Sequence, residues 1–317
     1  MRSLIIFALL WCQPLMANEP ISTTHEAVSA PLYGTLVGSL GSGEPVVLIH
    51  PGSGPTDRDG NSPQGIKAAT YRLLADELAK DGISSVRIDK RGMFESAAAI
   101  PDPNQVTVDD YVRDIESWAD TIIARNGGGC VWLLGHSEGG LHVMAAAAKD
   151  SSRYCGLLLV ASVGRSPAEV LRAQIASNPA SAPLLPQVNA IIEKLVAGET
   201  VNAGEIHPAL VPLFGPQVQG FVASLFRQEP AELIVAHDLP TFILNGRSDL
   251  QTPDTDAEAL AGARPDATLV LLGGVNHVLK TVRDDDRASN LATYTDPGLP
   301  LAPGVADAIS AYVLASR

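Results

Sequence analysis

Residues 131–139 read Val131-Trp132-Leu133-Leu134-Gly135-His136-Ser137-Glu138-Gly139, a short apolar run that leads straight into a Gly-x-Ser-x-Gly motif. The apolar run is typical of a buried strand, and the Ala-rich segment from about Glu138 to Ala148 predicts a helix directly after it. Small residues around Ser137 permit a very tight turn that projects the serine hydroxyl at the end of the strand. The stretch predicts a strand–turn–helix unit with Ser137 as a candidate nucleophile.

Strand-like and helix-like segments alternate on both sides of this unit. Apolar runs bounded by turn residues predict strands at Tyr33–Val37, Pro45–His50, Ile83–Ile88, Gly156–Ala161, Thr241–Asn245 and Thr268–Leu272. Apolar residues at helical spacing predict helices over Tyr71–Ala79, Val108–Ile123, Thr255–Ala263 and Val305–Leu314. Strands that alternate with helices form mostly parallel sheets covered by helices on both faces. The fold class is therefore expected to be α/β.

Residues 165–237 interrupt this alternation. The segment is helical in character, is broken by several prolines and contains no strong strand signal. We interpret residues 165–237 as a helical cap inserted between two parts of one core, residues 18–164 and residues 238–317.

Composition and charge exclude several classes of protein. The chain has 317 residues, of which 46% are hydrophobic, so most of it is not intrinsically disordered. The formal net charge of −13 repels phosphate backbones, and we expect no nucleic-acid partner. No apolar run after residue 17 approaches the roughly 18 residues of a membrane span, so we expect no stable membrane insertion.

Residues 1–17 have the features of a secretory signal peptide. Arg2 supplies a positive start, Leu4–Trp11 an apolar stretch and Leu15–Ala17 a small-residue exit. The alternatives are an N-terminal membrane anchor and a buried first helix, but the apolar stretch is shorter than a membrane span. We expect an exported protein, either periplasmic or secreted.

Cys130 and Cys155 remain after removal of residues 1–17, and each stands next to a predicted strand. Two adjacent parallel strands would start side by side. In an oxidising compartment, the two cysteines form either a disulfide or a pair of buried thiols. Their spacing resembles neither a zinc site nor a redox CxxC motif.

A serine hydroxyl needs a base within hydrogen-bond reach, and the base needs a carboxylate that orients it. Among the histidines after Ser137, only His277 follows the last predicted strand in a short loop. The others are His142, His207 and His237. His277 is the expected base, and its alternative is an ordinary histidine in a surface loop.

Asp249 is the expected carboxylate. It comes shortly after the strand that ends at Asn245, where it would share one edge of the sheet with the serine and the histidine. Asp238 precedes that strand, whereas Asp254 and Asp256 resemble the cap and first turn of the next helix. The alternative role of Asp249 is to cap its own loop.

The oxyanion of a tetrahedral intermediate requires two donors, one after the nucleophile and one in the loop after the third strand. The backbone amides of Glu138 and Ser53 meet this description. Gly52 and Gly54 allow the loop backbone to approach a substrate closely. The alternative is a tight turn that has no ligand role.

No metal site is expected. Asp57-x-Asp59-x-Asn61 resembles the start of a calcium loop, but Ser62 replaces the required glycine and Ala68 stands where a bidentate acid belongs. The sequence contains no HExxH motif and no P-loop.

The motifs together resemble bacterial esterases of the α/β-hydrolase superfamily, close to its serine aminopeptidase-like branch. The likeness spans about residues 30–315 and rests on Val47–His50, Gly52–Asn61, Arg87–Gly92, Gly135–Gly139, Gly246 with Asp249, and Asn276-His277. The resemblance implies an α/β-hydrolase fold: a mostly parallel eight-stranded sheet with helices on both faces and a helical cap after strand 6. It also implies that no cofactor is needed.

These residues predict a serine hydrolase that cleaves small-molecule carboxylic esters. Ser137, His277 and Asp249 are the expected catalytic triad, with the amides of Ser53 and Glu138 as oxyanion donors. Two alternatives are an amidase or aminopeptidase that uses the same triad and a catalytically silent binding module. Apolar cap residues that could line the pocket are expected mostly to pack the cap: Leu184, Leu185, Leu213, Phe214, Phe221, Leu225 and Phe226.

Overall fold

An eight-stranded sheet forms the centre of the computed structural model, which describes residues 18–41, 43–283 and 286–316. The predicted signal peptide, residues 1–17, lies outside these residues. The strands are β1 (Asn18–Thr23), β2 (Leu32–Val37), β3 (Val46–His50), β4 (Ser84–Ile88), β5 (Val131–His136), β6 (Tyr154–Val160), β7 (Thr241–Gly246) and β8 (Thr268–Leu272). Their order in the sheet is β1-β2-β4-β3-β5-β6-β7-β8.

Most neighbouring strands are parallel. Strand β2 runs antiparallel to both β1 and β4, and every other neighbouring pair is parallel. Every residue of β3, β4, β5 and β7 is buried, as expected for strands covered on both faces. The predicted mostly parallel sheet is therefore confirmed.

Alternate residues of each central strand contribute to two separate apolar cores. In β3, Val46 and Leu48 belong to the core on one face, whereas Val47 and Ile49 belong to the core on the other. This alternation follows from the two-residue repeat of a strand. The continuous apolar runs in the sequence thus correspond to strands that need packing partners on both faces.

Helices cover both faces of the sheet. The helices are α1 (Thr70–Lys80), α2 (Val108–Arg125), α3 (Glu138–Lys149), α4 (Pro167–Ser177), α5 (Leu185–Val196), α6 (Val211–Phe214), α7 (Gln219–Phe226), α8 (Pro230–Val235), α9 (Asp254–Ala263), α10 (Arg287–Ala292) and α11 (Val305–Ala315). Helices α1 and α11 contribute to one core, and α2, α3 and α9 to the other. A two-stranded ribbon, Asn61–Ser62 with Ile66–Lys67, precedes α1.

Helices α4–α8 occupy the chain between β6 and β7. They contain an apolar core of their own, which includes Val188, Ile192 and Phe214. In the described part of the chain no single helix has the length and apolarity of a membrane span. The segments Pro208–Phe214 and Gln219–Phe226 reach that length and apolarity only when they are taken together, and they are bent by 68° relative to each other.

Cys130 and Cys155 are joined by a disulfide in the structure. Cys130 directly precedes β5, and Cys155 is the second residue of the neighbouring strand β6. The bond therefore connects the starts of two adjacent parallel strands. Ser137 follows the opposite end of β5, so the disulfide is about 20 Å away along the strand.

Candidate active site

Ser137 sits at the turn between β5 and α3 in a strained backbone conformation, with φ of 56° and ψ of −126°. A β-carbon on Gly135 would lie 2.4 Å from the carbonyl oxygen of Gly139, and one on Gly139 would lie 2.6 Å from the carbonyl oxygens of His50 and Pro51. The small residues of the motif are thus required by backbone contacts. A positive φ at a non-glycine residue costs free energy and is typical of functional turns.

Asp249 and His277 form a direct hydrogen bond. Asp249 follows β7 and His277 follows β8, and Oδ2 of Asp249 lies 2.8 Å from Nδ1 of His277. The other carboxylate oxygen, Oδ1, accepts hydrogen bonds from the backbone amides of Gln251 at 2.7 Å and Thr252 at 2.9 Å. The hydroxyl of Thr252 is 2.8 Å from Oδ2. These contacts orient the carboxylate toward the imidazole.

The electrostatic surroundings keep Asp249 ionised. Burial acts to raise its pKa, but the nearby His277 and the amide donors of Thr252 and Gln251 outweigh that effect, so the pKa lies below its usual value. A carboxylate that remains negative fixes the Nδ1–H tautomer of the histidine and leaves Nε2 as the basic nitrogen.

Ser137 and His277 line the same small cavity, which has a volume of about 60 Å³. Gly52 and Ser53 line it as well. A β-carbon on Gly52 would lie 3.1 Å from Cβ of Ser137, so the loop backbone runs directly beside the serine. The structure therefore brings Ser137, His277 and Ser53 together, with Asp249 behind the histidine.

A chain of hydrogen bonds connects the loop after β3 with the loop that carries His277. The backbone amide of Gly52 donates to the Tyr71 hydroxyl at 3.1 Å, and this hydroxyl lies 3.0 Å from Nδ1 of His136. Nε2 of His136 lies 2.8 Å from the carbonyl oxygen of His277. Because a carbonyl oxygen only accepts, Nε2 carries the proton and Nδ1 accepts from Tyr71.

Burial keeps His136 neutral, as this arrangement requires. Desolvation and, to a smaller extent, the neighbouring His277 lower the pKa of His136 to about 3. The sequence pattern indicated no role for the Tyr71 hydroxyl or for the His136 side chain. Tyr71 lies on a helix face that is otherwise apolar, and its polar hydroxyl on that face was the available signal.

A second buried polar cluster lies next to the first. Nε2 of His50 is 3.0 Å from Nδ1 of His142, and Nε2 of His142 is 3.8 Å from Oε1 of Glu138. Burial raises the pKa of Glu138, although Lys90 opposes this shift. Desolvation lowers the pKa of His50 to about 3. The sequence pattern indicated a role only for the backbone amide of Glu138 and not for its side chain.

A larger pocket of about 370 Å³ opens at Ser137. Ser53, Glu138 and Thr252 line it from the core, and α4 and α7 line it from the helical segment. Its apolar lining includes Val163, Val170, Leu171, Leu213, Phe221, Val222, Leu225 and Phe226. Four of the seven cap residues expected mostly for packing line this pocket: Leu213, Phe221, Leu225 and Phe226. Leu225 and Phe226 are also buried in the apolar cores, and Phe221 packs against one of them.

The remaining candidate acids lie elsewhere. Asp238 is exposed before β7. Asp254 is the first residue of α9 and follows a Pro253 cap, so its predicted capping role is wrong. Asp256 is fully buried, and its carboxylate accepts hydrogen bonds from the amide of Gly164 and from Arg165. It therefore anchors the first residues of the helical segment to α9.

The other candidate histidines are also separate from Ser137. His142 is buried in α3 and faces His50. His207 is exposed in the helical segment, and His237 is buried near Arg264. Among the described residues, no group of three His, Cys, Asp or Glu side chains is arranged to hold a metal ion.

Comparison with protein families finds a match to the serine aminopeptidase family S33 over residues 65–281, about two thirds of the chain. The matched region includes Ser137, Asp249 and His277. No curated protein matches the sequence.

Several solved structures have the same fold. Est1E from Butyrivibrio proteoclasticus is 15% identical, with a TM-score of 0.55 over 95% of this chain and 99% of that one. A thermophilic esterase from Thermogutta terrifontis is 20% identical, with a TM-score of 0.57 over 94% and 99%. A bromoperoxidase from Bacillus anthracis is 16% identical, with a TM-score of 0.55 over 93% and 100%. These similarities confirm the α/β-hydrolase fold.

Proposed function

The chain belongs to the serine aminopeptidase S33 family, and we propose that it is a serine hydrolase that cleaves carboxylic esters. Ser137 is the proposed nucleophile, His277 the base and Asp249 the orienting acid. The observation that carries the proposal is the 2.8 Å contact between Asp249 and His277, with His277 and the strained Ser137 at one cavity.

In the proposed reaction, Oγ of Ser137 attacks the ester carbonyl carbon while Nε2 of His277 accepts the hydroxyl proton. The negative charge that forms on the carbonyl oxygen is held by the backbone amides of Ser53 and Glu138. When the bond to the alcohol oxygen breaks, His277 returns the proton to that oxygen. Water then attacks the acyl-enzyme with the same base, and the carboxylic acid leaves.

Two features support Glu138 and Ser53 as the donors. Glu138 is the first residue of α3, so its amide lies at the positive end of the helix dipole. Ser53 lines both cavities that contain Ser137. Donors that are fixed before the reaction stabilise the developing charge without reorganisation.

The pocket favours esters with an apolar group. Its lining is mainly aliphatic and aromatic, and residues 165–237 supply much of it. We propose that this segment acts as a cap that selects the acyl or alcohol group. A volume of about 370 Å³ is within the range of small-molecule sites.

The second candidate is cleavage of an amide or peptide, which the family name favours. Recognition of a substrate ammonium requires an acidic group at the pocket. Glu138 is the acid among the residues that line it. The acids of the helical segment do not line this pocket: Glu169, Glu193, Glu199, Glu205, Glu229 and Glu232. Their absence from the lining makes the ester the better-supported substrate.

The test is hydrolysis of p-nitrophenyl esters of increasing acyl length beside a series of aminoacyl anilides. Wild type, Ser137→Ala and the exposed control Ser152→Ala are compared. We expect ester turnover in wild type and Ser152→Ala and its loss in folded Ser137→Ala. Anilide turnover alone would establish the peptidase, and inactivity toward both series together with inertness to a serine-directed phosphonate would indicate a binding module.

We further propose that the protein is exported. The Cys130–Cys155 disulfide supports this proposal, because such bonds persist mainly in oxidising compartments. The test is the intact mass of protein from the bacterial periplasm and culture medium. We expect a chain that begins at Asn18 and has no free thiols; a full-length cytosolic chain with free thiols would contradict the proposal.

A further inference from the structure

Lys90 is a buried cation that binds a peptide carbonyl. It lies just after β4 and is only 2% exposed. Its Nζ donates a hydrogen bond to the carbonyl oxygen of Gly52 at 2.5 Å. Removal of an ammonium from water is costly unless the protein replaces its solvation. A buried lysine directed at one loop carbonyl therefore points to a specific role for that carbonyl.

The surroundings of Lys90 come from three elements besides its own. His50 at the end of β3 and His142 in α3 both have pKa values lowered by burial, so both are neutral near pH 7. The ring of Tyr111 in α2 lies 5.6 Å from Nζ, which is a cation–π distance. Glu138 supplies the nearby negative charge. The ammonium is thus surrounded by neutral rings and one acid, and the carbonyl oxygen of Gly52 is its hydrogen-bond acceptor.

Burial also changes the titration of Lys90. Desolvation lowers its pKa to about 8, although the charge of Glu138 opposes the shift. The groups that face it from the neighbouring elements are His50, Tyr111, Glu138 and His142.

The carbonyl of Gly52 and the amide of Ser53 belong to one peptide group. In a planar trans peptide the C=O and the N–H point in opposite directions, and the described chain contains no cis peptide. A donor fixed on the oxygen therefore fixes the direction of the Ser53 N–H. Tyr71 accepts a hydrogen bond from the amide of Gly52, which belongs to the preceding peptide group. Gly52 is therefore held through both its N–H and its C=O.

This peptide lies beside the proposed nucleophile. A β-carbon on Gly52 would lie 3.1 Å from Cβ of Ser137, and Ser53 lines the cavity that Ser137 and His277 share. A charged donor on a carbonyl polarises the peptide, which makes its N–H a stronger donor. An amide that is both oriented and polarised stabilises an oxyanion more than an isolated amide does.

We propose that Lys90 is a positioning residue that orients and polarises the Gly52–Ser53 peptide as an oxyanion donor. The inference rests on the proposed function, because it requires a tetrahedral intermediate at Ser137. It assigns to Lys90 an electrostatic contribution that acts through Ser53 without contact with the substrate.

The first test does not depend on activity. The chemical shifts of the Ser53 amide are followed by NMR from about pH 6 to about pH 10 in wild type, Lys90→Met and Lys80→Met. Lys80 is an exposed lysine of α1 and provides the matched control. We expect a transition near pH 8 in wild type and Lys80→Met that is absent from Lys90→Met. The same transition in Lys90→Met, or none in wild type, would overturn the inference.

The second test separates catalysis from substrate binding. For Lys90→Met we expect kcat on a p-nitrophenyl ester to fall about 10- to 100-fold with KM changed less than about threefold, because the amide donor remains but is no longer oriented. Affinity for a trifluoromethyl ketone, which forms a tetrahedral adduct with the serine, should fall in proportion to kcat. An unchanged kcat, or a change in KM alone, would contradict the role.

Lys90→Gln provides the conservative variant, because its neutral N–H can still donate to the carbonyl of Gly52. We expect it to recover part of the lost kcat. Thermal unfolding identifies any variant that fails to fold, in which case the wild-type Ser53 titration decides alone. Ser137→Ala tests the proposed function separately: full ester activity in that variant would refute the serine mechanism and leave the Ser53 titration interpretable.

Discussion

Oδ2 of Asp249 lies 2.8 Å from Nδ1 of His277, although the two residues are 28 positions apart and follow different strands. Asp249→Asn keeps the size of the side chain but removes its charge. We expect kcat to fall about 10³- to 10⁴-fold with a small change in stability, because an amide can hold the imidazole in the wrong tautomer.

The exposed Asp238 provides the matched control, and Asp238→Asn should retain wild-type kcat. Ester hydrolysis and circular dichroism measure the two effects. Wild-type activity in folded Asp249→Asn would remove Asp249 from the proposed triad.

Tyr71→Phe should weaken both the fold and the activity. Loss of the hydroxyl leaves the Gly52 amide and Nδ1 of His136 without the partner seen in the structure. A buried polar group left unpaired costs about 1–3 kcal/mol. We expect the free energy of unfolding to fall by about that amount and kcat to fall about tenfold, because Gly52 carries the peptide of Ser53.

Urea unfolding and ester hydrolysis measure these changes. Tyr33→Phe, at an exposed position of β2, is the control and should resemble wild type. Equal stability of the two variants would show that the hydroxyl of Tyr71 does not support the loop.

Gly135→Ala should destabilise the protein through backbone contacts. The new methyl group would lie 2.4 Å from the carbonyl oxygen of Gly139 and 2.5 Å from Cα of Gly140, and neither atom can rotate away. Overpacking of this kind costs about 1–3 kcal/mol. Differential scanning calorimetry should show a lower melting temperature.

Gly262 in α9 is the control position, because a β-carbon there would have no atom within 4 Å. Gly262→Ala should stabilise the protein by up to about 1 kcal/mol through helix propensity. A Gly135→Ala variant as stable as wild type would mean that the turn can rearrange.

The pH dependence of Lys90 should affect stability and activity in opposite directions. Its pKa is lowered to about 8 in the folded state, while the unfolded value is near 10.5. Between these values the unfolded chain binds more protons, so the free energy of unfolding rises with pH from about 8 to about 10. Activity should fall over the same range as the ammonium loses its proton.

Urea unfolding at several pH values, for wild type and Lys90→Met, measures the stability effect. The rise should be smaller in Lys90→Met, because methionine does not titrate. A rise of equal size in both proteins would assign it to other groups, such as Lys280, whose pKa is also lowered to about 8.

Much of the architecture was predictable because its signals are local. Continuous apolar runs such as Val46–His50 indicate strands buried on both faces, and glycines around Ser137 indicate a turn that excludes side chains. The position of Asp249 and His277 after neighbouring strands placed them at one edge of the sheet. The contact between them follows from strand order, which the sequence pattern alone did not give.

The roles of Lys90 and Tyr71 were not predictable in the same way. A lysine after a strand is usually solvated, and a tyrosine at helical spacing usually packs as an apolar residue. Only the packing of α1 and α2 against the sheet shows that Nζ of Lys90 and the hydroxyl of Tyr71 both reach Gly52. The roles of the apolar cap residues were ambiguous for a similar reason. The same residue types pack a helix against its neighbours and line a pocket, so the sequence alone does not separate the two roles.

Local patterns of residues specify the alternation of strands and helices and the tight turn at Ser137, and the order of the candidate triad follows from the chain itself. Long-range packing specifies which side chains are buried together, how the Gly52–Ser53 peptide is held and which helices line the pocket at Ser137. These features depend on contacts between residues far apart in the chain, and only the folded packing specifies them.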